Sequence, residues 1–139
     1  MTDPPPSSMP NDESQSTLVS SFRYAFAGLW YALRTQRNIR IHFAMATGVA
    51  ILGGILGLSW MQWALLTLTS GFVLVAEMFN TAAEAAMDAA TPYYHPLVKI
   101  AKDVAAGAVL LAAVTSVIVG LLILGPPLWS VVVDWLSGS

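Results

Sequence analysis

Three apolar stretches constrain this chain more than anything else in it: Ile41 to Leu58, Trp60 to about Ala83, and Val104 to Leu124. Each is close to the roughly 20 residues an α-helix needs to cross hydrocarbon. Backbone polar groups in lipid must be satisfied within the segment, so the spans are expected to be helical. Composition agrees, since 56% of the 139 residues are hydrophobic and only 10% are charged. The expected fold class is an all-α membrane protein with three transmembrane helices. Glycines and alanines recur within the spans, including Gly48, Gly53, Gly54, Gly107 and Gly120. Small residues let helices approach closely, which favours a packed helical bundle, oligomeric rather than isolated. A formal net charge of -2 gives no basic surface for nucleic acid. The absence of cysteine excludes disulfides, thiolate metal sites and a cysteine nucleophile.

The flanks differ in kind. Residues 1–17 are rich in Pro, Ser and acid with no apolar run, the composition of a disordered tail. They also lack the basic start and apolar core of a signal peptide. From Leu18 to Arg40, Leu18, Phe22, Ala25, Phe26, Leu29 and Leu33 recur at helical spacing, while Arg23, Arg34, Arg37 and Arg40 fall largely off that stripe. With Trp30 and Tyr31 beside the apolar face, the segment 18–40 is expected to be an amphipathic surface helix in the membrane interface, or one docked on the rest of the protein. Residues 125–139 open with Gly125, Pro126 and Pro127, and are expected to break from the third span as a short interfacial tail. The arginines before the first span, and His95, Lys99 and Lys102 after the second, place the N-terminus and that loop on the cytoplasmic side.

That orientation sets the depth of the acidic residues. Glu77 lies seventeen residues beyond Trp60, about 25 Å along a helix, and so just inside the cytoplasmic edge of the hydrocarbon. Glu77, Asn80, Glu84 and Asp88 are three, four and four residues apart, which puts them in one polar stripe on an alanine-lined helix. A carboxylate facing lipid at depth costs at least about 2.5 kcal/mol, so the stripe must face protein or water. An interhelical hydrogen-bond seam would account for the spacing. So would one metal ligand and one base at a boundary open to both bilayer and cytosol, with Glu77 positioned to take a proton from a group arriving in the membrane. At the same boundary, "KIAKDVAAGAVL" opens the third span with Lys102 and Asp103. Lys102 is either a topological charge or a cation for phosphate, and a polyphosphate beside two glutamates needs cations. His95 alone carries little weight.

Together, "FRYAFAGLWYALRTQRNIRIH", "EMFNTAAEAAMD" and "AKDVAAGAVL" resemble, in order and separation, the motifs of the prokaryotic diacylglycerol kinase family, which includes undecaprenol kinases. The resemblance covers about residues 20–124. It implies a homotrimer of three-span subunits, each with a surface helix, in the bacterial inner membrane. The implied activity moves the γ-phosphate of Mg-ATP to a lipid hydroxyl, with diacylglycerol the first expectation and undecaprenol the alternative. It also implies Glu77 as catalytic base with Asn80 beside it, Glu84 as a magnesium ligand that meets the nucleotide, and Lys102 and Asp103 on the nucleotide. Tyr24, Tyr93, Tyr94 and His95 fall where the family contacts ATP, and Asp88 and Trp30 where the site is supported. One position departs: the family commonly has a second metal-binding Glu where this chain has Gln36, in "RTQRN". An amide oxygen remains a magnesium donor, though a weaker one than a carboxylate.

No Walker A sequence or kinase glycine loop is present, so the nucleotide is expected on helix ends and scattered side chains. A small oligomeric channel or ion carrier using Glu77 is the rival from another class. The boundary position of Glu77 and the nearby Lys102 and Asp103 favour the kinase, because a carrier wants its carboxylate nearer mid-membrane. A purely structural membrane subunit is a third reading.

Overall fold

The computed structural model describes residues 18–91 and 93–138. The expectation of a disordered tail over 1–17 lies outside the described residues. The described chain is all helical, with α1 over Leu18–Thr35, α2 over Arg37–Ile55, α3 over Trp60–Ala90 and α4 over Pro96–Ser137. Three of these, α2, α3 and α4, are long and apolar enough to cross a membrane.

Helix α1 is shorter than the expected 18–40 segment. It ends at Thr35, and Gln36 sits between helices with extended backbone (φ -97°, ψ 118°). Its N–H still closes the last turn of α1 on the Ala32 carbonyl at 2.8 Å. Arg37 and Arg40 therefore belong to the first turn of α2. Ala32 and Ile39, each 2% exposed, are the buried residues on either side of this bend. The chain turns at Gln36, between these two buried residues, although no glycine or proline marks a turn there.

The α2–α3 connection is specified locally. Gly57 adopts a left-handed conformation (φ +66°), open to glycine without strain, and Leu58 N–H returns to the Gly53 carbonyl at 3.2 Å. This is the Schellman pattern, with Leu58 packing back over Gly53. Ser59 then caps α3 reciprocally with Gln62: the Ser59 N–H donates to Gln62 Oε1 at 2.8 Å, and the Gln62 N–H donates to Ser59 Oγ at 3.4 Å. The hairpin sets α2 and α3 antiparallel.

Leu66 of α3 and Ile123 and Leu124 of α4 form the buried core, flanked by Val49, Leu52, Leu56, Leu58 and Val119. The expected break at residue 125 does not occur, and α4 runs through Pro126 and Pro127 to Ser137. Proline removes a hydrogen bond to the preceding turn but is tolerated where neighbouring helices hold the backbone. Here the turn just before the prolines is fixed by Ile123 and Leu124 in the core, and Ser130 Oγ donates to the Pro127 carbonyl at 2.8 Å. At 42 residues α4 is about 63 Å long and α3, at 31 residues, about 46 Å, both longer than the ~30 Å hydrocarbon layer. Both helices therefore have length to project beyond the bilayer.

Candidate active site

The alternation of α2, α3 and α4 brings the start of α2, the end of α3 and the start of α4 to one end of the bundle. The acidic stripe of α3 lies there, graded in exposure. Glu77 is buried at 2%, Asn80 and Glu84 are half-buried, and Asp88 is exposed. The stripe faces protein at its deep end, as a carboxylate in an apolar helix requires.

Each member has a different partner. Asn80 Nδ2 donates to Glu84 Oε1 at 3.1 Å, one turn apart, and orients that carboxylate. The second oxygen of Glu84 has no partner among the described residues. Asp88 is joined to α4 by Lys102, whose Nζ is 2.5 Å from Asp88 Oδ1. This pair fastens the mouth of the site across α3 and α4. Asp103 points elsewhere and pairs with Lys99 at 2.6 Å, one turn earlier on α4, with both side chains well exposed.

Glu77 is the outlier. Its Oε1 is buried without a hydrogen bond among the described residues, as is Asn80 Oδ1. The group nearest to it is His42 Nε2 of α2, at 3.5 Å. Sequence reasoning did not single out His42. One signal was available: it is the only ionisable residue in the stretch Ile41 to Leu58, and an ionisable residue inside a span is a site candidate on energetic grounds alone.

His42 also borders a cleft of about 480 Å³ between α2, α3 and α4. Apart from His42, Ser70 and Ser116 its lining is apolar, including Val49, Leu52, Val73 and Leu124. From His42 to Leu52 it follows α2 for ten residues, about 15 Å, or half the hydrocarbon layer. The cleft thus ends at His42, the neighbour of a buried carboxylate.

The remaining candidates are more peripheral. Gln36 occupies the N-cap position of α2, with no side-chain capping bond. Tyr24 is exposed and carries Arg23 over its ring at 5.2 Å, and Trp30 is exposed beneath Arg34 at 4.8 Å. Tyr93 and Tyr94 are exposed in the α3–α4 connection. His95 caps α4, its Nδ1 accepting the Leu97 N–H at 3.2 Å ahead of Pro96 in the first turn. Among the described residues no three His, Cys, Asp or Glu side chains come together as a ready-made metal cage. Glu84, held by Asn80 through one oxygen, is the stripe's half-buried carboxylate.

The sequence profile of the prokaryotic diacylglycerol kinase family matches residues 23–124. The chain belongs to that family. Among its relatives, a diacylglycerol kinase of Synechocystis sp. is 50% identical over 117 residues, covering 84% of this chain and 67% of the relative. An undecaprenol kinase of Bacillus subtilis is 45% identical over 108 residues, covering 78% of this chain and 88% of the relative. A diacylglycerol kinase of Helicobacter pylori is 29% identical over 105 residues, covering 76% of this chain and 82% of the relative. The matched region contains α2, α3, the connection to α4, most of α1 and the first part of α4, hence every candidate residue named above. The chain is a membrane-embedded lipid kinase.

Proposed function

We propose that this kinase transfers the γ-phosphate of Mg-ATP to the hydroxyl of diacylglycerol, giving phosphatidic acid, at the cytoplasmic face of a bacterial inner membrane. The observation that carries this reading is Glu77, a buried carboxylate without a hydrogen bond that lies beside the end of an apolar cleft. A lipid chain lying in the cleft brings its hydroxyl to Glu77, which takes the proton as the oxygen attacks phosphorus. Lys102 leaves Asp88 for the phosphates, or contacts both, and supplies positive charge where it develops. Tyr24, Tyr93, Tyr94, His95 and Asp103 form the outer nucleotide contacts. Glu84 and Gln36 would hold magnesium, which when bound neutralises phosphate charge. Arg34, Arg37, Arg40, Lys99 and Lys102 gather at the site's end of the bundle, supporting a cytoplasmic orientation. On this reading α1 lies in the interface, with Phe22, Phe26 and Leu29 exposed to lipid. The helices, whose apolar faces are uncovered in one subunit, assemble as a homotrimer that encloses the sites.

Undecaprenol is the second reading for the acceptor. It is supported by the likeness to the Bacillus subtilis undecaprenol kinase, whose length is 88% covered. Purified protein supplied with labelled ATP and either diacylglycerol or undecaprenol, side by side at equal molar fraction, distinguishes them. Preferential labelling of diacylglycerol is expected, and preferential labelling of undecaprenol replaces the first reading by the second.

A further inference from the structure

Of the stripe's other members, Asn80 Nδ2 pairs with Glu84 and Asp88 with Lys102, while Asn80 Oδ1 stays unpartnered. Glu77 has only His42. A carboxylate that is 2% exposed with an unpaired oxygen is costly unless something compensates it in the working state. The approach of His42 Nε2 to Oε1, at 3.5 Å, is longer than the 2.7–3.2 Å of a hydrogen bond. It is close enough, however, for both groups to address the same small polar atom. His42 is also not sealed in the core. Its side chain is 22% exposed and it borders the apolar cleft, so it touches the path of a lipid chain and the base at once. A histidine present merely to fill space would have no need of an acidic neighbour, and a packing role would be filled as well by leucine.

We propose that His42 is a positioning residue for phosphoryl transfer: its Nε2–H, beside Glu77 Oε1, aligns with that carboxylate the acceptor hydroxyl that arrives along the cleft. This rests on the reading of Glu77 as base. The hydroxyl donates to Glu77 Oε1 and accepts from His42 Nε2–H, which aims one oxygen lone pair at phosphorus. In the transfer the acceptor O–H bond breaks with its proton passing to Glu77, the oxygen–phosphorus bond forms, and the bond from the γ-phosphorus to the ADP oxygen breaks. His42 keeps its proton throughout. The contribution is therefore to orientation, which appears in turnover and in the use of lipid rather than in ATP binding.

The test compares the full chain, in lipid vesicles, as the native protein and as His42→Leu, His42→Gln and Glu77→Gln, with turnover and KM measured separately for ATP and lipid. His42→Leu should lower kcat about 10- to 100-fold while the KM for ATP moves less than about twofold. His42→Gln retains an N–H donor and should recover much of that loss. On the Glu77→Gln background, His42→Leu should add little, because the two residues act as one unit. If His42→Leu fails to fold, His42→Asn, polar but too short to reach, takes its place against His42→Gln. Native kcat in His42→Leu, or equal losses in the Gln and the Leu or Asn forms, overturns the proposal while leaving Glu77 as base. Native kcat in Glu77→Gln overturns the reading of Glu77 itself.

Discussion

Lys102 offers a case in which magnitudes separate a structural role from a catalytic one. Its ion pair with Asp88 is made by side chains that are 35% and 66% exposed. A pair so open to solvent contributes roughly 0.2–1 kcal/mol. Losing it altogether changes the folded-to-unfolded ratio by at most about fivefold, which leaves the folded population nearly intact. Removing a charged donor from a developing phosphate charge costs about 100- to 1000-fold in turnover. Lys102→Met and Asp88→Asn delete the same ion pair, but only the first deletes the cation. Lys102→Met should therefore lower kcat/KM for ATP by about 100-fold or more, whereas Asp88→Asn, which frees Lys102 for phosphate, should cost less than about fivefold. Steady-state phosphorylation of lipid in vesicles, corrected for folded protein by thermal unfolding, measures both. Equal losses in the two variants would make the pair, and not the ammonium, the active element, and would remove Lys102 from the phosphate.

Further expectations concern the metal, the assembly and the hairpin. Gln36→Glu should lower the magnesium concentration for half-maximal activity and Gln36→Ala should raise it, since a carboxylate suits a small hard cation better than an amide; superimposed magnesium titrations would remove Gln36 from the metal site. Mixing Glu77→Gln subunits with Gln36→Ala subunits should restore activity in mixed trimers if sites are shared between subunits, and crosslinking that yields only monomers would contradict the trimer. At Gly53 an added Cβ would lie 2.9 Å from Leu58 Cδ1 and 3.2 Å from the Trp63 ring, so Gly53→Leu should destabilise the α2–α3 hairpin by about 1–3 kcal/mol, read as a fall in thermal midpoint, while Gly48→Ala, whose Cβ meets nothing within 4 Å, should not.

Much of the fold was legible because bilayer thickness imposes a length and an apolar composition that random sequence rarely meets. The stripe from Glu77 to Asp88 was legible too, because helical geometry fixes which residues share a face. The bend at Gln36 was not. The 3.6-residue pattern continues through it, and the residues buried on either side, Ala32 and Ile39, carry no local turn signal. Pro126 and Pro127 misled in the opposite direction, since their local cost is borne by core contacts at Ile123 and Leu124. Within the site, the approach of His42 to Glu77 joins residues 35 apart on different helices, which periodicity within one helix does not reveal. Lys102 and Asp88 were each visible, but their pairing across α3 and α4 was not.

On the proposed function, Glu77 deprotonates a lipid hydroxyl for attack on ATP. The most direct measurement of that step is transfer of label from γ-labelled ATP to lipid by the native chain and by Glu77→Gln, with ATP affinity determined on the same preparations. The native protein should give a labelled lipid phosphate, Glu77→Gln should lose that product by at least about 100-fold, and ATP affinity should stay unchanged within about twofold. Undiminished lipid labelling by Glu77→Gln, or a loss fully explained by weakened ATP binding, would contradict that role of Glu77.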